Sequence, residues 1–387
     1  MQVRNTFIGI SRLLSYIRVA HTQNARCFVS WNQPKTSDWK KAVSEAEKIV
    51  GYPTSFMSLR CLLSDELANV ALQVRKLVGT KHPLLKTARG FLDNGKHSLQ
   101  TRGLMILLIS KAAGAKSENM ENVDHAADEM VSGIYPSQRQ LAEITEMINT
   151  ANLVHRGVVN LDTLKETDGS LKDMEFGNKI AVLSGDFLLT SASTGLAELR
   201  NTKVVELVSM AIGDMMSAEF TSLRDRNGQG VLPEDVTFSC WERQTFLQSG
   251  SLLSRGCRSA LELAGHNEQV QMAAEEFGKN IAYARQMNED LLPFANLGVD
   301  PNGILSSAPV IRYAEVHGPQ SIDTFSGHEK IITTIIRDNE TIEWCKEKCR
   351  DYGRKAITAL DCFEPSEAKS ALVNIVQATT TFKPVKS

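Results

Sequence analysis

From residue 37 onward, apolar residues recur at three- and four-residue spacing with few runs of alternating polarity, so the pattern predicts one helix after another and an all-α class. Ser37 caps a stretch carrying Trp39, Val43, Ala46, Ile49 and Val50 on one side, and Gly51 with Pro53 ends it. Ser64 opens the next helix, with Asp65 and Glu66 in its first turn where the dipole favours acids, and Gly79 closes it. The segment 98–113 is apolar almost all round, the pattern of a helix surrounded by others. Residues 115–130 are polar and acidic and predict an exposed connection. Ser137 and Gln140 predict a capping box for a helix bearing Leu141, Ile144, Ile148, Ala151 and Val154.

Further helices are predicted over about 178–199, 202–223, 241–264 and 268–292, with Asn-Gly and Gly-Gln-Gly punctuation around 227–230. Residues 295–324, rich in Gly, Pro, Asn and Ser, predict a long loop, and helices over about 340–360 and 366–380 finish the chain. No fixed-period repeat is present, which argues against a solenoid.

Composition narrows the function classes. A chain of 387 residues allows two or three domains, but the unbroken helical pattern favours one over 37–387. Hydrophobic content of 42%, charge of 23%, a net charge of -2 and a pI near 6.5 describe an ordinary globular protein with no electrostatic footprint for nucleic acid. The longest apolar run, 104–109 extended by Ala112 and Ala113, falls short of the roughly 20 residues that span a bilayer, so no transmembrane segment is expected. Residues 1–36 differ in kind. Arg4, Arg12, Arg18 and Arg26 are spread among Phe7, Ile8, Ile10, Leu13, Leu14, Tyr16, Ile17 and Val19, and no acid precedes Asp38, the pattern of a mitochondrial presequence. Cleavage is expected between about residues 25 and 37.

The seven cysteines lack the paired short spacings of a zinc module or disulfide framework. Cys345 and Cys349 sit one helical turn apart, yet no second pair accompanies them, and both read as reduced, buried thiols. Neither a Walker loop nor a Gly-rich dinucleotide fingerprint occurs, and HExxH and GxSxG are also missing.

Two stretches carry a resemblance to a known family. Gly177-Asn-Lys-Ile-Ala-Val-Leu-Ser-Gly185-Asp186-Phe-Leu-Leu189 resembles the run Asn-Lys-x-Ala-Val-Leu-x-Gly-Asp-Phe-Leu-Leu of the trans-polyprenyl diphosphate synthases. Upstream, Met147 to Asn160 resembles their first aspartate-rich region, where a helix ends in a His followed by Asp-Asp-x-x-Asp. Here His155 is followed by Arg156, Gly157 and Asn160, so the scaffold is expected to remain while the acids are gone. Phe277 to Phe294 is similar to the second aspartate-rich region, with Gln286 retained and Glu289, Asp290 and Pro293 at the acidic positions. The family's Lys-Thr-Ala-Ser-Leu falls on Gln248 to Leu252, replacing its diphosphate-binding lysine by Gln248. Its Gly-Gly-Lys-Arg-x-Arg-Pro falls on His97 to Gly103, leaving Arg102; placing Gly95-Lys96 on the Gly-Lys needs an insertion. The resemblance covers roughly 60–380. Within the family, Val50 to Cys61, shortly before Leu63 to Leu67, is similar to the divergent subunit 2 type of decaprenyl-diphosphate synthase.

The resemblance implies an all-α isoprenoid synthase helical bundle. It also implies a chemistry in which an allylic diphosphate ionises and the C=C of isopentenyl diphosphate attacks the carbocation. Carboxylates at i, i+1 and i+4 lie on one side of a helix, and two such helices hold Mg²⁺ ions against the leaving diphosphate. Arg156 puts a permanent cation where that metal needs an anion. Losing metal stabilisation of the order of 5 kcal/mol slows the reaction roughly a thousandfold to ten-thousandfold. Glu289 and Asp290 hold at most one hydrated Mg²⁺ weakly and otherwise read as a solvated pair near a helix end. Arg102 and Gln286 are the substrate-binding candidates, with Arg156 and Arg102 also able to bind diphosphate directly as guanidinium forks. His155 reads as a packed, hydrogen-bonded histidine.

The expected function is therefore a non-catalytic subunit, inactive alone and holding no cofactor, with Mg²⁺ in its catalytic partner. The resemblance implies a heterotetramer with a catalytic polyprenyl diphosphate synthase subunit, acting on isoprenoid diphosphates to make the ubiquinone side chain in the mitochondrial matrix. Two alternatives stay open: a self-sufficient prenyltransferase with a remodelled metal site, and an isoprenoid-binding module without catalysis.

Overall fold

Helix-starting and helix-stopping chemistry written into the sequence accounts for most element boundaries in the computed structural model. It describes residues 37–51, 75–85, 87, 101–115, 130–221, 232, 236–295, 304–323 and 328–382. The expected presequence, the helix start at Ser64, the polar connection over 116–129 and the turn at 227–230 lie outside the described residues.

The first helix, α1 (Ser37–Val50), buries Ala42, Val43, Ala46 and Val50 along one side. Gly51 ends it at φ +68°, donating to the carbonyls of Glu47 and Lys48. Next, α2 (Thr101–Ala113) is enclosed as its all-round apolar pattern predicts, with Leu104 through Ile109 each no more than 1% exposed. The helix α3 (Pro136–His155) starts one residue before the expected capping box. Proline at the first helical position moves the cap to Tyr135, whose N–H is accepted by Gln138 Oε1 at 3.1 Å. Gln140 instead donates to the Gly195 carbonyl and to Glu198 Oε2.

α4 (Leu171–Glu198) begins seven residues before 178, because Ser170 Oγ accepts the Asp173 N–H at 3.2 Å and nucleates an earlier first turn. It is also long and apolar enough to cross a membrane by length and composition, with a mean hydropathy of 1.3 over its apolar window. Gly177, Ser184, Gly185 and Asp186 interrupt its apolar run in the sequence. In this structure 44% of that window is buried inside the protein, Ile180, Ala181, Leu188 and Ala192 among it.

The predicted helix over 241–264 divides in three: α6 (Phe238–Thr245), a π-helical turn Phe246–Gly250, and α7 (Ser251–Leu263). Before it runs α5 (Thr202–Phe220), capped by Asn201, and after it α8 (Glu268–Ala295), which absorbs Pro293 in its last turn. The expected loop over 295–324 is a correction. It holds α9 (Ala308–His317) and the short α10 (Gln320–Asp323). Pro309 belongs to a first helical turn rather than a loop, Val310, Ile311 and Ala314 form a buried stripe, and Gly318 at φ +86° ends it. A further unanticipated helix, α11 (His328–Arg337), buries Ile331, Ile332 and Ile335. Last come α12 (Asn339–Ala359) and α13 (Glu367–Thr380).

No strand occurs among the described residues, which contain only the isolated bridges Val78–Thr80 and Val131–Ile134. The fold is all-α. The chain groups into two compact units: one includes 75–85 and 146–194, the other 37–51, 102–115, 130–145 and everything described from 195 onward. In the larger unit α8 is the central helix, packed chiefly between α7 and α12. It approaches α7 so closely that a Cβ on Gly278 would lie 2.6 Å from Ser254 Cα. On another side of α7, Gly256 admits Ile106 of α2, whose Cδ1 lies 2.8 Å from where a Cβ would be. In the smaller unit Leu77, Leu84, Leu85, Val154, Ile180 and Ala181 form one cluster, and Ala151 and Leu188 another.

Backbone rather than a flexible side chain faces Gly278, so Gly278→Ala is expected to destabilise the protein by about 1–3 kcal/mol, the usual cost of overpacking a tight core. Denaturant titration measures it; an unchanged midpoint would mean that α7 and α8 are not in this close contact.

Candidate functional site

In the smaller unit, α3 stops at His155, immediately before the first degenerate motif. Gly157 and the β-branched pair Val158-Val159 disfavour further helix. Asn178 of α4 then captures the released backbone: its Oδ1 accepts the Val159 N–H and its Nδ2 donates to the Val159 carbonyl, both at 2.9 Å. Arg156 is exposed and Gly157 buried. Asn160, in extended conformation, caps the 3-10 turn Leu161–Thr163 by accepting the Asp162 N–H at 3.1 Å. Positions 156, 157 and 160 therefore do not lie along one side of a helix, so the i, i+1, i+4 geometry is not formed there. A Cβ on Gly157 would sit 3.0 Å from the Val154 carbonyl oxygen and 3.5 Å from the Leu84 nitrogen, so a side chain there presses on backbone.

Two histidines rest on the glycines of the signature run in α4. His155 lies over Gly185, where a Cβ would come within 2.1 Å of Nε2, and that nitrogen is 3.2 Å from both the Val182 carbonyl and Asp186 Oδ1. His82 lies over Gly177, where a Cβ would come within 2.4 Å of the ring. Its Nδ1 accepts the Leu84 N–H at 3.1 Å and its Nε2 meets Asn178 Oδ1 at 3.2 Å, which fits the neutral tautomer with the proton on Nε2. Burial holds the His82 pKa below its usual value, against the upward pull of the Asn178 bond. Sequence reasoning did not find His82 or the role of Asn178; the paired glycines were the one available signal.

In the larger unit, the second degenerate motif lies near the end of α8. Glu289 pairs with Arg285 at 3.2 Å, and the Arg285 guanidinium sits 5.8 Å from the centre of the Trp39 ring. Asp290 is partly buried and accepts three bonds: Gln286 Nε2–H at 2.8 Å, Trp241 Nε1–H at 2.7 Å and the Ala308 N–H at 2.8 Å. Burial pushes its carboxyl up to about 6 despite those three bonds. The expected solvated pair is therefore corrected: one acid is ion-paired and the other is enclosed by donors. Gln286 spends its amide on Asp290, Pro293 offers no ligand, Arg102 lies in the first turn of α2, and Gln248 sits in the π turn.

These donor sets do not fit Mg²⁺, which requires several unencumbered oxygens in octahedral array. Among the described residues no group of three or more His, Cys, Asp or Glu side chains is placed to hold a metal. Cys345 and Cys349 are fully buried, Cys349 Sγ lies 3.3 Å from the Ala284 carbonyl, and burial pushes the Cys349 thiol up to about 12.

The His82 linkage has a defined sign. The fold favours the neutral ring, so the unfolded chain takes up a proton first, and stability in the smaller unit falls as pH drops below about 6.5. Amide exchange at Leu84 and Val159 is expected to speed up on going from about pH 7.5 to about pH 5.5, beyond the intrinsic pH effect. Equal protection at both would contradict a neutral, load-sharing His82.

Residues 85–298 match the Polyprenyl synthetase family profile. The chain is 51% identical to the all trans-polyprenyl-diphosphate synthase PDSS2 of Rattus norvegicus, over 89% of this chain and 88% of that one. It is 27% identical to decaprenyl-diphosphate synthase subunit 1 of Schizosaccharomyces pombe, over 87% of this chain and 94% of the relative. Among solved structures, the geranylgeranyl pyrophosphate synthetase of the archaeon Geoglobus acetivorans superposes with a TM-score of 0.60 at 19% identity, covering 87% of this chain and 99% of that one. An Arabidopsis medium/long-chain prenyl pyrophosphate synthase does so with a TM-score of 0.55 at 24% identity, covering 83% and 98%. With the signature run on α4 and both degenerate aspartate-rich regions in place, the chain belongs to the polyprenyl synthetase family and has the all-helical isoprenoid synthase fold.

Proposed function

We propose that this chain is the non-catalytic subunit of a heteromeric all-trans-polyprenyl diphosphate synthase that makes the ubiquinone side chain from isopentenyl diphosphate and an allylic primer. The observation that carries the reading is the end of α3 at His155. Arg156, Gly157 and Asn160 follow it off the helical path, with Asn178 holding the backbone of Val159. A leaving diphosphate needs preorganised positive charge opposite it at the moment of ionisation. With neither motif offering a metal cage, that charge is supplied by a catalytic partner, which holds the Mg²⁺. The relatives support the context: one is named as a subunit 1 of decaprenyl-diphosphate synthase, and a Yarrowia lipolytica relative, 28% identical, is named a mitochondrial hexaprenyl pyrophosphate synthase. Together with the Arg-rich, acid-free N-terminus, they favour action in the mitochondrial matrix; the assembly proposed is a heterotetramer with two chains of each kind.

Incorporation of labelled isopentenyl diphosphate, with farnesyl or geranylgeranyl diphosphate and Mg²⁺, is expected only when the chain is co-expressed with a catalytic homologue. Long-chain product from the purified chain alone would refute the reading in favour of a self-sufficient enzyme; prenyl diphosphate binding with no turnover in either sample would favour a carrier. The triple variant Arg156→Asp, Gly157→Asp, Asn160→Asp is expected to stay inactive alone, because three acids on a non-helical segment do not recreate the i, i+1, i+4 array. Turnover by that variant would mean that side chains alone had been lost.

A further inference from the structure

The N-terminus of a helix presents amides that lack partners within the helix, normally satisfied by the residue just before it. In the larger unit two neighbouring helices break this habit together. Ser307 stands at the cap position of α9 but makes no capping bond, because its Oγ donates to the Ile304 carbonyl at 2.6 Å. The first amide of α9, Ala308 N–H, goes to Asp290 of α8 at 2.8 Å. Thr237 stands at the cap position of α6 and makes no capping bond either; its Oγ1 is 2.8 Å from Ser239 Oγ. The first amide of α6, Phe238 N–H, goes to Glu315 of α9 at 2.9 Å, and Arg312 fixes the other Glu315 oxygen at 2.7 Å. Trp241 of α6 then returns its indole N–H to Asp290 at 2.7 Å. The bonds run from α8 to α9, from α9 to α6 and from α6 back to α8.

We propose that Asp290, the acid retained from the second aspartate-rich region, serves as the cap of α9 within this closed ring of three helices and takes no divalent cation. A carboxylate has about four lone-pair sites. Three are used, and Oδ2 faces the positive ends of both the Trp241 and Ala308 N–H bonds. A dication approaching Oδ2 meets those hydrogens first, and ligation would release a helix N-terminus and a buried indole together. The inference deepens the partner-subunit reading, on which it rests for one consequence only: the metal of the assembled synthase belongs to the partner.

The test uses the co-expressed complex and reads its thermal midpoint with and without Mg²⁺. Asp290→Ala is expected to lower the midpoint by about 4–8 °C, since three donors lose their acceptor. Asp290→Asn keeps an acceptor oxygen for Trp241 and Ala308 and is expected to shift it by less than about 2 °C. Mg²⁺ is expected to raise the midpoint equally in all three proteins. An Asp290→Ala complex as stable as the parent overturns the capping role. Mg²⁺ stabilisation lost in both variants overturns the exclusion of metal. Neither outcome bears on whether the chain turns over alone, which the isopentenyl incorporation assay decides separately. If Asp290→Ala gives no soluble complex, Trp241→Phe removes one donor from the ring and is expected to lower the midpoint by about 2–4 °C, and no shift there overturns the ring.

Discussion

Every α-helix leaves amides free at one end and carbonyls free at the other, and a protein built almost wholly of helices has to dispose of many such groups inside its own core. Much of the packing answers that demand with side chains from distant parts of the chain. Lys111 of α2 reaches the Ile49 carbonyl at the end of α1, and His266 reaches the Gly114 carbonyl just past the end of α2. Asn288 of α8 reaches the Thr379 carbonyl near the end of α13. Each bond sets the position of one helix end from a distant part of the chain, so it orders tertiary structure as well as satisfying a polar group.

The degenerate motifs look different in that light. Positions 157, 160, 289 and 290 each have a structural partner or packing role. Asn160 caps a short turn, Gly157 lets the chain press on the Leu84 backbone, Glu289 pairs with Arg285, and Asp290 joins helix ends. Four positions that serve one reaction in a catalytic relative do four separate structural jobs here.

How much of this the sequence disclosed depends on how far apart the interacting residues lie. Helix class, the enclosed α2 and the signature run on α4 were legible because they rest on spacing within a few residues. The loop expected over 295–324 from its Gly, Pro and Ser fails because Pro309 stands in a first helical turn, and the helix bearing Ile331, Ile332 and Ile335 beyond it has no expectation in the sequence reading. Motif positions were legible as residues, but what they do was not. The acceptor role of Asp290 joins residues 49 and 18 positions away, and His82 meets Asn178 across 96 residues. No local pattern encodes such pairs. Gly177 and Gly185 carried a faint trace of them, because a glycine eight residues from another on one helix marks places where something else must fit.

The π turn Phe246–Gly250 sets a phase relation between α6 and α7. A π turn holds one residue more than the α-helical turn it replaces, and one residue is worth about 100° of rotation about the axis. Trp241 therefore points toward Asp290 while Leu252 and Cys257 point into the core only because that extra residue offsets one face from the other. The segment works as a ratchet tooth: shortening it by a single residue would turn the indole about a quarter revolution from its acceptor, so its length, rather than its composition, sets where Trp241 points.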